Sequence, residues 1–358
     1  MSNIKTMTKL IHKLLVIIFL IFFSALMAQA EINKNFPGDS GYRPSEPHVD
    51  SRGEIIEKSV KRIKNNNPDI MLNVYGRAAP TFGSTAQMLP LISPHGSKIV
   101  MPQLSKIVLI WYGNWANGSV SDTPQGQAII RDLIAGLADN NNSYVSITTS
   151  SKYAGNYGAY GVASQSSLTI SEYISPRLTA LKNGSYYKYG SNISDANVKS
   201  LVLDAANSGI GYDASAIYLV LTSSDVAESS GFCSKYCGWH TYTTILSGAS
   251  TTAIKYAFIG NANRCLSSCA AQTITSPNGN PGVDGMASVI AHELQETVTD
   301  PQLNNWYDTK GYENADKCAW TYGTTSPNSP YYNVTFTSVR RNFLLQRSLG
   351  SNSYCYSN

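Results

Sequence analysis

Residues 106–111 read Lys-Ile-Val-Leu-Ile-Trp, and nothing polar interrupts the stretch from Ile107 to Trp111. A strand with one wet face alternates apolar and polar residues. An unbroken apolar run of this length is instead the mark of a strand buried on both faces, beneath helices on each side of a sheet. Ala216–Leu221 (AIYLVL) and Ile254–Ile259 (IKYAFI) repeat the pattern. Between the first two runs, Thr123-Pro124 opens a helix. Ala128, Ile129, Leu133, Ile134 and Leu137 recur in it at helical spacing, and Asp139-Asn140-Asn141 stops it. Tyr144–Thr149 alternates as a strand, and residues 150–215 are polar and rich in Tyr and Ser, with a helix near Asp195–Asn207. A Gly/Pro/Asn loop at 277–284 leads into a last helix over Gly285–Val298. The order strand, helix, strand, helix, strand, strand, helix specifies an α/β fold with a mixed central sheet and flanking helices. One domain over residues 81–358 accommodates it.

The 358 residues are 42% apolar and only 14% charged, enough for a real core under a polar, weakly charged surface. The 27 Lys and Arg against 23 Asp and Glu give a net charge of +4. Three of those lysines, Lys5, Lys9 and Lys13, precede an apolar run from Leu14 to Phe23 and an Ala28-Gln29-Ala30 ending. A basic start, a short apolar stretch and a small-x-small close are a secretory signal peptide over residues 1–30. Without it the chain carries 24 basic and 23 acidic residues, a net charge of +1. No concentrated basic face remains to hold nucleic acid. No later run reaches membrane length, so the expectation is a secreted protein with no membrane attachment in its mature form. Residues 31–80 form a polar, partly disordered lead-in, within which Ile55, Ile56, Val60 and Ile63 are spaced as a short surface helix.

Export changes the meaning of the six cysteines, Cys233, Cys237, Cys265, Cys269, Cys318 and Cys355. An even count in an oxidising compartment points to three disulfides rather than a four-thiolate zinc site. Closure within or between the two C-x3-C segments, with Cys318 joined to Cys355, is the favoured arrangement. Such loops would staple the domain.

The last helix carries the chemistry. Met286, Ala287, Ile290, Leu294 and Val298 make one apolar face, while His292, Glu296 and Asp300 fall at i, i+4 and i+8 on another. An imidazole and a carboxylate one turn apart can share a divalent metal, and Glu293 beside them is placed to take a proton from an activated water. This is the H-E-x-x-H logic of zinc peptidases with Glu in place of the second His. Asp300, Asp308, Glu313 and Asp316 are the candidates for a third ligand, Glu313 and Asp316 foremost. Mixed His and carboxylate ligands suit zinc, and additional oxygens would favour calcium or manganese. His240, in Cys237-Gly238-Trp239-His240, is a possible further member of the same cleft. A helix bearing His-Glu after three buried strands is also the element order of the zincin peptidase core, an analogy of fold. The competing reading is an amphipathic helix showing these polar residues to solvent. A Ser-His-Asp hydrolase built on Ser223 or Ser224, Asp225 and His240 lacks the G-x-S-x-G elbow.

Several stretches resemble the EXORDIUM / phosphate-induced protein 1 family. They are Ser93-Pro94-His95-Gly96, Ile107 to Trp115, Tyr218 to Val226, Gly231-Phe232-Cys233 with Cys237-Gly238-Trp239-His240, Gly282 to Met286, and Asn342 to Leu345. The resemblance covers residues 90–358 and implies a secreted, extracellular or cell-wall protein. Plant members are linked to growth and cell expansion and lack a His-Glu pair at the place of His292 and Glu293. This chain is similar instead to a branch with HE-x-x-E, followed here by Trp306, Asp308, Glu313, Asp316 and Cys318. The resulting expectation is a secreted, zincin-like, metal-dependent peptidase or hydrolase acting on a peptide or cell-wall substrate. Its alternative is a non-enzymatic extracellular growth, signalling or binding protein. Oligomeric state is left open.

Overall fold

The computed structural model describes residues 48–49, 55–56, 81–82, 101, 104–115, 123–138, 168–182, 185–247, 250–303, 313–349 and 355–356. The signal peptide, most of the lead-in, the strand expected at Tyr144–Thr149, and Trp306 and Asp308 lie outside them. Of the short helix expected from Ile55 to Ile63, only Ile55–Ile56 is described. That pair is a two-residue strand against His48–Val49, not a helical turn.

The chain runs β1 (Lys106–Tyr112), α1 (Pro124–Ala138), β2 (Thr169–Ile174), α2 (Asp195–Ala205), β3 (Ala216–Thr222), β4 (Gly238–Ser247), β5 (Ser250–Ile259) and α3 (Pro281–Thr299). Five strands form one sheet in the order β4-β5-β3-β1-β2. β1 pairs in parallel with β2 and β3, and β3 with β5, whereas β4 returns antiparallel along the outer edge of β5. The sheet is therefore mixed, with helices on both faces. β2 emerges from the polar, Tyr- and Ser-rich stretch 150–215, where no strand was expected. Two of its apolar residues, Ile170 and Ile174, are exposed, which leaves no hydrophobic pattern to read.

Period-two alternation sorts the central strands into two cores. Ile107, Leu109 and Trp111 of β1, with Ile217, Leu219 and Leu221 of β3, pack under α1 and α3. Val108, Ile110, Tyr112, Tyr218 and Val220 face the opposite way, against Val198, Leu201 and Val202 of α2. Both strands are buried almost throughout.

Gly136 of α1 marks a tight contact with the hairpin Val334–Phe336/Arg341–Phe343: a Cβ there would lie 2.2 Å from Phe336 Cδ2. Gly→Ala inside a helix normally stabilises by about 1 kcal/mol. Here overpacking, which costs about 1–3 kcal/mol, decides the sign. Gly136→Ala is expected to lower the urea midpoint, and a raised midpoint would show that Phe336 yields freely.

All six cysteines are paired: Cys233–Cys265, Cys237–Cys269 and Cys318–Cys355. The C-x3-C segments thus close on one another, bracing the entry to β4 against the exit of β5. Asn333, which begins an N-x-T sequon, has its amide committed inside the fold. It donates to Tyr322 O and Leu345 O at 2.8 Å each and accepts from Leu345 N. Among the described residues no helix is long and apolar enough to cross a membrane.

Candidate metal centre

α3 is fixed at its start by Asn280, whose side chain accepts from Val283 N, with Pro281 at the first helical position. Asp284 in that first turn accepts from Ser276 Oγ at 2.6 Å and from Asn278 N and Nδ2 at 3.0 and 2.5 Å. Burial nevertheless raises its pKa. The helix then runs through the interior: every residue except Pro281 and His292 is buried. The solvated polar face allowed by the sequence does not exist. Glu293, Glu296 and Thr297 sit inside the protein.

What covers that face is β4, which the sequence reading passed over. Trp239 points towards α2 and stacks on Phe258. Its neighbours Gly238 and His240 therefore face α3. The approach is close at Gly238, where a Cβ would meet Val289 Cγ1 at 2.6 Å and Glu293 Oε1 at 3.1 Å. Only a residue without a side chain lets β4 lie this near the helix. His240, two residues on, is carried fully buried to Glu296.

The third wall is the segment from Glu313 to the 3-10 turn Asp316–Cys318. Asp316 N donates to Glu296 Oε1 at 2.9 Å, and Glu313 N donates to Asp316 Oδ2 at 3.2 Å. Two groups of potential ligands result. His292 Nε2 lies 3.2 Å from Glu296 Oε1 and 3.5 Å from Asp316 Oδ1. His240 Nε2 lies 3.1 Å from Glu313 Oε2 and 3.8 Å from Glu296 Oε2. Within each group the ligand atoms are all within 4.8 Å of one another. The sequence candidates His292, Glu296, Glu313, Asp316 and His240 thus come together, with Glu293 beside them. Asp300 is buried at the end of α3, and burial together with Asp300 raises the pKa of Tyr242 on β4.

Crowding so many carboxylates away from water has a cost. Burial first, then the neighbouring acids, pushes Glu313 well above the usual carboxylate range, and burial does the same to Glu293. For His292, burial pulls down but Glu296 and Asp316 override it, so its pKa rises well above 6.5. Burial holds His240 down to about 4. Its contact with Glu313 is then a hydrogen bond of a neutral imidazole rather than an ion pair. Among the described residues nothing donates to the buried oxygens Glu293 Oε2, Glu296 Oε2 and Glu313 Oε1. Unpaired buried carboxylate oxygens are expensive, and a divalent cation is the ligand that satisfies several at once. The donor set, imidazole nitrogen with carboxylate oxygen, fits zinc.

A pH dependence follows in chelator. His292, Glu293 and Glu313 have raised folded pKa values. The stability each contributes is complete below its unfolded value (6.5 for His292, 4.5 for the glutamates) and is lost as pH climbs through the folded one. His240 acts oppositely between 6.5 and about 4, where the unfolded chain takes up a proton that the buried ring refuses. Above pH 6.5 His240 no longer contributes, while His292, raised well above that value, still does. The melting temperature of chelator-treated protein should fall from pH 6.5 to pH 9, and a rise would contradict this electrostatic account.

Fold and site together define a disulfide-stapled α/β protein with an imidazole–carboxylate cluster under the edge of its sheet. The chain belongs to the phosphate-induced protein 1 family: the family model described as the phosphate-induced protein 1 conserved region matches residues 92–339. It is similar to Protein EXORDIUM-like 3 of Arabidopsis thaliana, 28% identical over 337 residues, or 86% of this chain and 88% of the relative. Protein EXORDIUM-like 5 of the same plant is 31% identical over 255 residues, 64% of each chain. Protein PHOSPHATE-INDUCED 1 of Nicotiana tabacum is 28% identical over 249 residues, 65% of this chain and 73% of the relative. No solved structure matches the chain significantly.

Proposed function

We propose that this protein is a secreted metal-dependent hydrolase, with a peptide or a cell-wall polymer as its substrate class. The observation that carries the reading is the convergence of His292, Glu296 and Asp316 on one point, with Glu293 adjacent on the same helix. An imidazole among the ligands favours zinc over calcium, which takes six to eight oxygens. When bound, such an ion polarises the scissile bond and lowers the pKa of water. The chain supplies the rest. His292, Glu296 and Asp316 hold the ion, and Asp316 N orients Glu296 by donating to its Oε1. Glu293, its pKa lifted by burial above the usual carboxylate range, takes the proton from the attacking water and returns it to the leaving group. His292 and Asp316 are the partly exposed members, at 11% and 18%, so substrate enters on their side.

The zincin analogy supports this reading at the level of element order alone: a helix bearing His-Glu that follows the buried strands of the sheet. The 1–30 leader and the disulfides support secretion. A non-enzymatic extracellular role is the second reading. It draws on the relatives' names, none of which states an activity. Elemental analysis of protein purified without chelator, beside cleavage of a fluorogenic peptide library, separates the two. The hydrolase reading expects stoichiometric metal and cleavage that chelator abolishes and zinc restores. Protein without stoichiometric metal overturns it.

A further inference from the structure

We propose that the cluster holds two divalent cations, with Glu296 as the carboxylate that bridges them. The inference rests on the reading that this cluster binds metal, and it goes beyond the single ion that reading needs. The two oxygens of Glu296 look in different directions. Oε1 faces His292 and receives the Asp316 amide, while Oε2 faces His240. Each oxygen thus belongs to its own set of three ligands: His292, Glu296 and Asp316 outside, His240, Glu296 and Glu313 inside.

The spacings are those of coordination edges. Two ligands on a tetrahedral ion with bonds of ~2.1 Å sit ~3.4 Å apart. The outer set shows 3.2 and 3.5 Å and the inner set 3.1 and 3.8 Å. Hydrogen bonding explains only part of the inner set, since Glu313 Oε1 and Glu296 Oε2 are buried and accept no hydrogen bond from the described residues. Charge points the same way. Glu293, Glu296, Glu313 and Asp316 carry four negative charges when ionised, which two dications balance.

The two positions differ in access. His240, Glu296 and Glu313 are at most 1% exposed, whereas His292 and Asp316 open to solvent. The inner ion is held to fix the bridging carboxylate and should exchange slowly. The outer ion faces substrate and should exchange quickly.

The test uses the full-length protein in its exported, disulfide-bonded form, loaded with Zn2+ for elemental analysis and with Mn2+ for electron paramagnetic resonance. The expected result is two ions per chain and an exchange-coupled Mn2+ spectrum, because bridged ions lie ~4 Å apart. Glu313→Gln, nearly isosteric and so able to fold, should reduce the count to one and leave an isolated six-line Mn2+ signal. His292→Ala should also leave one ion, now the slowly exchanging one. A wild-type count of one with an uncoupled spectrum overturns the two-ion proposal and leaves the hydrolase reading standing. So does a coupled spectrum unaltered in Glu313→Gln. Protein that takes up no metal overturns both.

Discussion

Glu293→Gln is expected to lower the turnover of a cleaved peptide by about 10²- to 10⁴-fold while leaving the metal content unchanged, the range lost when a positioned general base is removed. That is about 3–5 kcal/mol of transition-state stabilisation. Gln keeps the size of Glu and so preserves the contact with Gly238, where Glu293 Oε1 sits 3.1 Å from the position of a Cβ. What it removes is the proton acceptor. The variant also separates catalysis from architecture. Burial raises the Glu293 pKa, so an ionised carboxylate there weighs against the fold, and a neutral amide should raise the melting temperature slightly at pH 8. Lost turnover with equal or higher stability identifies a base. Lost turnover with a lower melting temperature and lost metal would make Glu293 a structural residue and remove it from the mechanism.

The second large effect concerns Cys318–Cys355, which closes a loop with a sequence separation of 37. Chain entropy for a loop of that length predicts a loss of about 4 kcal/mol when both cysteines become alanine. Cys318 is fully buried and ends the 3-10 turn that begins at Asp316. The ties that remain between this region and the C-terminal segment include hydrogen bonds, Gln346 Oε1 accepting from Trp320 N and Thr321 O from Arg347 N. Loosening Asp316 should also weaken metal affinity about 10-fold or more, as losses of supporting contacts do. Urea titration and competition with a zinc chelator measure the two effects. If stability falls by less than 1 kcal/mol, as weak as one ordinary hydrogen bond, the hydrogen bonds alone hold the turn.

The sheet was legible wherever burial on both faces forced an unbroken apolar run. Lys106–Trp111 and Ala216–Leu221 match β1 and β3 to within one residue, and Ile254–Ile259 is the inner part of β5. The three helices were legible too, α1 through Pro124 and its apolar spacing, α2 near Asp195–Asn207 and α3 through its apolar face, although α3 starts at Pro281, inside the Gly/Pro/Asn stretch expected to be loop. β2 and β4 were not read. β2 is an edge strand with exposed isoleucines. β4 alternates aromatic, Thr and His residues, with buried positions on both faces, so period two gives no contrast. A signal for β4 was present nonetheless: Gly248-Ala249 between two β-branched runs is a hairpin turn by composition. Missing β4 is what made the polar face of α3 look solvated. The local spacing of His292, Glu293 and Glu296 was visible in sequence. That His240 and Glu313 complete a second group depends on strand pairing and a disulfide, which spacing along one helix does not encode.

The paired bridges at the base of the β4–β5 hairpin have a consequence of a different kind. Both span a separation of 32, and their cysteines are offset by four residues on each side. Once one has formed, the other closes a ring of only roughly eight residues, worth ~2.5 kcal/mol against ~3.7 for the full loop. The second bond therefore restricts rotation more than it shortens the unfolded chain. A single bridge is a pivot, whereas two parallel bridges make a rigid bracket. Cys237 adjoins Gly238, so the bracket sets the direction in which β4 departs, and with it the angle at which the imidazole of His240 meets Glu296. A mild reductant that opens one bridge would leave the protein folded but let that angle drift, so activity would fade well before the fold is lost.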